Sequence, residues 1–127
     1  MTLLSTDRLA RDLPAECWRA ASEIAPVGCA FSEEFWNAAA RQMLTGLILH
    51  VMTTCPLEKR KVETLLQLVE GGVKAVAEIR ANTGSGAVRA WLHPSPAETD
   101  DHYTAAILAE CAANLHRFLL SNSPEKR

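Results

Sequence analysis

At 127 residues, 48% of them hydrophobic and 6% aromatic, the chain is long enough for one hydrophobic core and too apolar to be read as disordered. A formal net charge of −2 excludes the strongly basic balance of a tight nucleic-acid binder. The charge is uneven: residues 56–93 hold six Lys/Arg against four Asp/Glu, whereas both flanking segments are net acidic. The middle third is therefore where a polyanion is expected to bind, if one binds. The start, Met1-Thr2-Leu3-Leu4 followed by Asp7 and Arg8, does not read as a signal peptide, and no apolar run reaches the 18 or so residues of a membrane span. Four cysteines, Cys17, Cys29, Cys55 and Cys111, form no C-x-x-C pair, which favours reduced thiols in a cytoplasmic setting over a disulfide or metal framework.

Read in chain order, Leu4, Leu9 and Leu13 suggest a short amphipathic helix. Pro14, with Asp12 as cap, opens a second, whose face Trp18, Ala21, Ile24 and Ala25 points to the core. Val27-Gly28-Cys29-Ala30 reads as a turn. Ser32 then caps a long helix running to about Thr53, roughly 30 Å at 1.5 Å per residue. In it Phe35, Ala39, Met43, Leu47 and Val51 form one stripe, and Trp36, Ala40, Leu44 and Ile48 the stripe beside it. So wide an apolar face suits a central helix touched from several sides. Gly46 costs about 1 kcal/mol relative to Ala inside a helix, so another helix is expected to pass close to it.

After Cys55-Pro56, the stripe Val62, Leu65, Leu66 and Val69 predicts a further helix, with Glu58-Lys59-Arg60-Lys61 in its exposed first turn. Gly71-Gly72 ends it. Val73, Val76 and Ile79 mark a short helix to Asn82, Thr83-Gly84-Ser85-Gly86 a loop, and Ala87 to Leu92 one or two helical turns. Ser95-Pro96-Ala97-Glu98 is a capping box that opens a last helix to about Leu120. No period-two alternation occurs. The expected fold is a single all-α domain, a bundle of six to seven helices around one long central helix.

Several residues have alternative readings. Lys59, Arg60 and Lys61, helped by Lys74, Arg80 and Arg89, have the chemistry for phosphate contacts; the same cluster reads equally as a solvated helix turn balanced by Glu58 and Glu63. Trp18 and Trp36 read as core anchors. Trp91, beside a Gly-rich loop and Arg89, reads as a packed ring or as a stacking or partner site. The Gly84-Ser85-Gly86 loop reads as a connector or a phosphate cradle. His50 with Cys55, and Cys111 with His116, are spaced five apart, which does not align two ligands on one helix face, so no metal or cofactor is expected. His93 and His102 near Asp100 and Asp101 read as polar capping groups, with a Cys/His-dependent enzyme as the weakest alternative.

The segment Phe35-Trp36-Asn37-Ala38-Ala39-Ala40 with Leu44-Thr45-Gly46-Leu47-Ile48 resembles the signature helix of the all-α domain of TraG-like type IV coupling proteins, the ATPases of conjugation and type IV secretion. The similarity spans Leu9 to Leu120, with Phe35 to Val51 its specific part. It implies an insertion in a RecA-like ATPase domain, hexameric only in the full-length, membrane-anchored parent and a monomer when isolated. It implies a place at the cytoplasmic face of the inner membrane, and contact with DNA, relaxosome proteins or effectors. No G-x-x-x-x-G-K-[ST] phosphate loop occurs, since Gly84-Ser85-Gly86 runs into Ala87-Val88, so ATP hydrolysis is not expected of this chain. By this resemblance the chain is an excised substrate-recognition domain without catalysis, with Lys59, Arg60, Lys61, Lys74, Arg80, Arg89 and Trp91 as candidate contacts. The alternative is a stand-alone helical adaptor for a protein partner.

Overall fold

The structure is a computed structural model that describes residues 13–27, 34–92 and 101–122. Six α-helices occur among them: α1 (Leu13–Ile24), α2 (Glu34–Thr54), α3 (Val62–Glu70), α4 (Gly72–Asn82), α5 (Gly86–Leu92) and α6 (Asp101–Ser121). There is no β-strand among the described residues, and none of their helices is long and apolar enough to cross a membrane. The fold is all-α, as expected. The first predicted helix, the Ser32 cap and the Ser95–Glu98 capping box lie outside the described residues.

Helix α2 is buried on most of its surface, and every residue from Met43 to Leu49 is enclosed. It touches α1, α3, α5 and α6. The expectation of one long helix at the middle needs revision, because α6 also has 21 residues and packs against α1, α2, α3 and α4. Met43, Leu44, Leu47, Ile48 and Val51 of α2 meet Leu65 of α3, Val88 and Leu92 of α5, and Ile107 and Leu115 of α6 in one core. Toward its start the α2 stripe emerges: Phe35 is exposed and stands edge-on to Trp36, while Trp36 leans on Tyr103 of α6.

A second correction concerns the Glu58–Lys61 stretch. It is not the first turn of α3. Leu57–Lys59 forms a separate 3-10 turn, and Lys61 is extended at the N-cap of α3. A single residue, Gly71, then separates α3 from α4. Gly72, at φ +76, takes a left-handed conformation that side-chain-bearing residues rarely adopt.

The ends of α1 depend on other helices. A helix leaves its last carbonyls without intrahelical partners, and burying them unpaired costs about 1–3 kcal/mol each. Here Arg41 Nε donates to Ala25 O at 2.8 Å, Asn37 Nδ2 to Pro26 O at 2.8 Å, and an Arg117 Nη2 to Ile24 O at 3.3 Å. Asn114 Nδ2 donates to Asn37 Oδ1 at 3.2 Å, and Arg117 Nη2 donates to Asn114 Oδ1 at 2.6 Å. Glu34 completes the seam through a 3.2 Å ion pair with Arg41.

Gly46 meets the expected close approach. A Cβ at that position would lie 2.8 Å from Leu92 Cδ2 and 2.9 Å from Trp91 Cβ. Leu92 Cδ2 sits at the end of a side chain, but Trp91 Cβ is bonded to the backbone, so the α5 main chain must move. Gly46→Ala should therefore lower the unfolding free energy by about 1–2 kcal/mol in urea denaturation, despite gaining about 1 kcal/mol in helix propensity. Unchanged or raised stability would show that α5 yields freely.

Candidate interaction site

Of the basic residues singled out in the sequence, Arg80 and Arg89 are brought together, Arg89 bonding the Arg80 carbonyl. Lys59 and Lys61 are exposed on either side of Arg60, which turns inward so that its Nε donates to Cys55 O at 3.0 Å. Lys74 is exposed in the first turn of α4, and Arg80 is half-buried near the end of that helix. Arg89 reaches back across the loop, donating from Nη2 to Thr83 O at 2.6 Å and from Nε to Arg80 O at 3.4 Å. Arg60 and Arg89 thus serve the carbonyl ends of α2 and α4, where positive charge also complements the helix dipole. The Gly84–Gly86 loop is organised by its own side chains: Ser85 N–H donates to Thr83 Oγ1 and Val88 N–H to Ser85 Oγ.

Trp91 sits elsewhere. Its Cβ packs over Gly46, and its ring lies against Trp18 of α1, with centroids 5.8 Å apart and planes inclined by 32°. Trp18, expected in the core, is 40% exposed. The inward face of α1 is already filled by Cys17, Ala21 and Ile24, at i, i+4 and i+7. That complete stripe leaves Trp18 at its edge, a signal present in the sequence. Behind Trp18 stands Arg41, only 5% exposed, with its guanidinium carbon 5.9 Å from the ring centroid, within cation–π range.

The two indoles form the floor of an open groove of ≈ 720 Å³ lined by Pro14, Ala15, Trp18, Arg19, Ser22 and Trp91. Of these, only Trp91 was singled out from the sequence as a contact residue. Arg19 pairs with Glu16 at 2.6 Å, and Ser22 Oγ donates to Trp18 O at 2.8 Å. The groove brings together aromatic faces and hydrogen-bonding edges, and its one hydroxyl, on Ser22, is bonded to Trp18 O.

Two thiols are buried among the described helices. Burial, with a smaller push from Glu16, raises the Cys17 thiol to about 12. Burial likewise raises Cys111, whose Sγ contacts Ala40 O at 3.5 Å. Both thiols stay protonated at neutral pH and are poor nucleophiles. Among the described residues no group of three or more His, Cys, Asp or Glu side chains is placed to hold a metal ion. No protein-family model, curated protein or solved structure matches the chain.

Partial burial lowers the pKa of His50, and its Nδ1 is enclosed without a hydrogen-bond partner. The fold therefore prefers the neutral ring. As pH falls below the ordinary value of 6.5, the unfolded chain takes the proton first. The His50 contribution is thus complete above that value and is lost as pH falls through the folded pKa. Denaturant midpoints measured from about pH 7 to 5 should decline less steeply in His50→Gln than in the parent sequence. Parallel slopes would remove His50 as the source.

Proposed function

We propose that this chain is a non-catalytic recognition domain of a TraG-like type IV coupling ATPase, and that the substrate it receives is a protein segment carried by relaxosome or effector proteins. The observation that carries the recognition reading is the Trp18–Trp91 groove, an open aromatic surface between α1 and α5. Aromatic rings held in place by packing are the usual anchors of partner binding, because little entropy is lost when they are covered. The coupling-protein context rests on the resemblance of Phe35–Val51. In that context the domain works at the cytoplasmic face of the inner membrane, joined to the ATPase domain of the same hexameric parent.

A protein substrate is preferred over DNA because Arg60 and Arg89 are engaged with backbone carbonyls, and the groove does not coincide with the basic residues. DNA stays the second reading through Lys59, Lys61 and Lys74, which are exposed. A stand-alone adaptor would use the same groove without the ATPase.

Two measurements test this reading. The reading frame around the chain should encode a phosphate-binding loop before it and a Walker-B-like strand after it; a frame with neither moves the assignment to the adaptor. Anisotropy titrations with labelled single- and double-stranded DNA should show only weak binding that disappears at near-physiological salt. Binding that survives that salt, and is lost in the Lys59→Glu/Arg60→Glu/Lys61→Glu variant, would make DNA the substrate.

A further inference from the structure

Arg41 does not line the Trp18–Trp91 groove, yet it meets one of the two indoles that do. We infer that Arg41 is the positioning residue of the groove: its guanidinium, fixed between α1 and α2, holds the Trp18 ring in its place beside Trp91. The inference rests on the reading of the groove as a recognition surface, and it names the side chain that sets the shape of that surface.

Trp18 needs such a support. It stands beside the filled inward stripe of α1 and is 40% exposed, and exposed side chains change rotamer within nanoseconds. Among the described residues its ring has two partners, the Trp91 ring at 5.8 Å and the Arg41 guanidinium carbon at 5.9 Å. Trp91 alone is a loose guide. The two planes are inclined by 32°, which is neither the offset stack nor the edge-to-face arrangement that aromatic pairs prefer.

Arg41, in contrast, is held. It is 5% exposed, its Nε donates to Ala25 O at 2.8 Å, and its Nη2 pairs with Glu34 Oε1 at 3.2 Å. A guanidinium is planar, so two bonds at different nitrogens leave it little freedom. The ring therefore follows the cation, not the reverse. The contact also serves the cation. A buried charge is costly unless it is paired, and the Glu34 side chain is 47% exposed, so water screens that pair. The π face of Trp18 is a second partner, stronger for being met by a desolvated cation.

This role is separate from closing the end of α1. Asn37 and Arg117 also donate to carbonyls there, but the contact with the Trp18 ring belongs to Arg41. Loss of Arg41 is therefore expected to change both stability and groove geometry, and loss of Asn37 stability alone.

The test adds no ligand, so its failure leaves the recognition reading standing, and failure of that reading leaves this result unaffected. It uses the full chain in a Trp36→Phe background, in which Trp18 and Trp91 are the only indoles. Two indoles so close couple their transitions and give an exciton couplet in circular dichroism, and acrylamide quenching reports their exposure. Arg41→Met removes the cation and its donors but keeps an unbranched apolar chain. Asn37→Ala is the matched control, because it takes the donor from Pro26 O and has no part in the ring contacts of Trp18. The helical signal verifies folding. The expected result is that Arg41→Met loses the couplet and is quenched more strongly, whereas Asn37→Ala melts earlier and keeps the couplet. A couplet kept by folded Arg41→Met overturns the inference, as does its absence from the parent chain. Equal loss in both variants also overturns it, by assigning the ring position to the whole seam. If Arg41→Met does not fold, the Arg41 Nε–H proton resonance decides, compared between the parent chain and Trp18→Ala. The ring current of an indole held over the guanidinium displaces that resonance, so it is expected to move when Trp18 is removed, and an unmoved resonance overturns the inference.

Discussion

The structure hangs on how the end of α1 is satisfied. Three successive carbonyls, at Ile24, Ala25 and Pro26, accept from Arg117, Arg41 and Asn37, side chains of two other helices. Ile24 and Ala25 are buried, so water cannot replace these donors cheaply. Removing one donor therefore costs more than a single net hydrogen bond. The same Arg41 that holds Ala25 O stands behind Trp18, so the geometry of the groove is fixed by the seam.

Arginine recurs in this role. Arg41 and Arg117 close α1, Arg60 closes α2, and Arg89 closes α4. Each presents a cation to the negative end of a helix dipole and donors to carbonyls that lack partners. None of these three helices' carbonyl ends is served by a lysine in the bonds described, and the planar, multi-donor guanidinium explains the choice. Four of the arginines are thus engaged at helix ends, two of them, Arg60 and Arg89, in the middle third.

What was legible in the sequence was the periodic part. The double stripe of α2 and the penalty of Gly46 inside it anticipated both the burial of Met43–Leu49 and the close passage of another helix, though not that the helix would be α5, because side-chain spacing and glycine cost are local properties. The seam was not anticipated, although α2 carries a trace of it: Asn37, Arg41 and Thr45 recur every four residues on a helix that is otherwise apolar, and all three are buried. A polar stripe on an enclosed helix implies partners, but their identity depends on α1 and α6, which local pattern cannot supply. Trp18 was misplaced because hydrophobicity was taken as burial, when Cys17, Ala21 and Ile24 already filled the inward face. The Glu58–Lys61 turn was misread because a run of charges after a proline suits an α-turn and a 3-10 turn equally.

The seam also has a consequence for how the molecule assembles. Its bonds join positions 77 and 93 apart in the chain, Asn37 with Asn114 and Ile24 with Arg117. Helical proteins ordinarily fold fast because their contacts are local, and such distant pairings close only after a large loop has been ordered. Here the first described helix takes two of its terminal partners from α2, but the third, Arg117, only when the last helix arrives. A chain emerging residue by residue therefore leaves the Ile24 carbonyl at the end of α1 without its Arg117 donor until α6 is made.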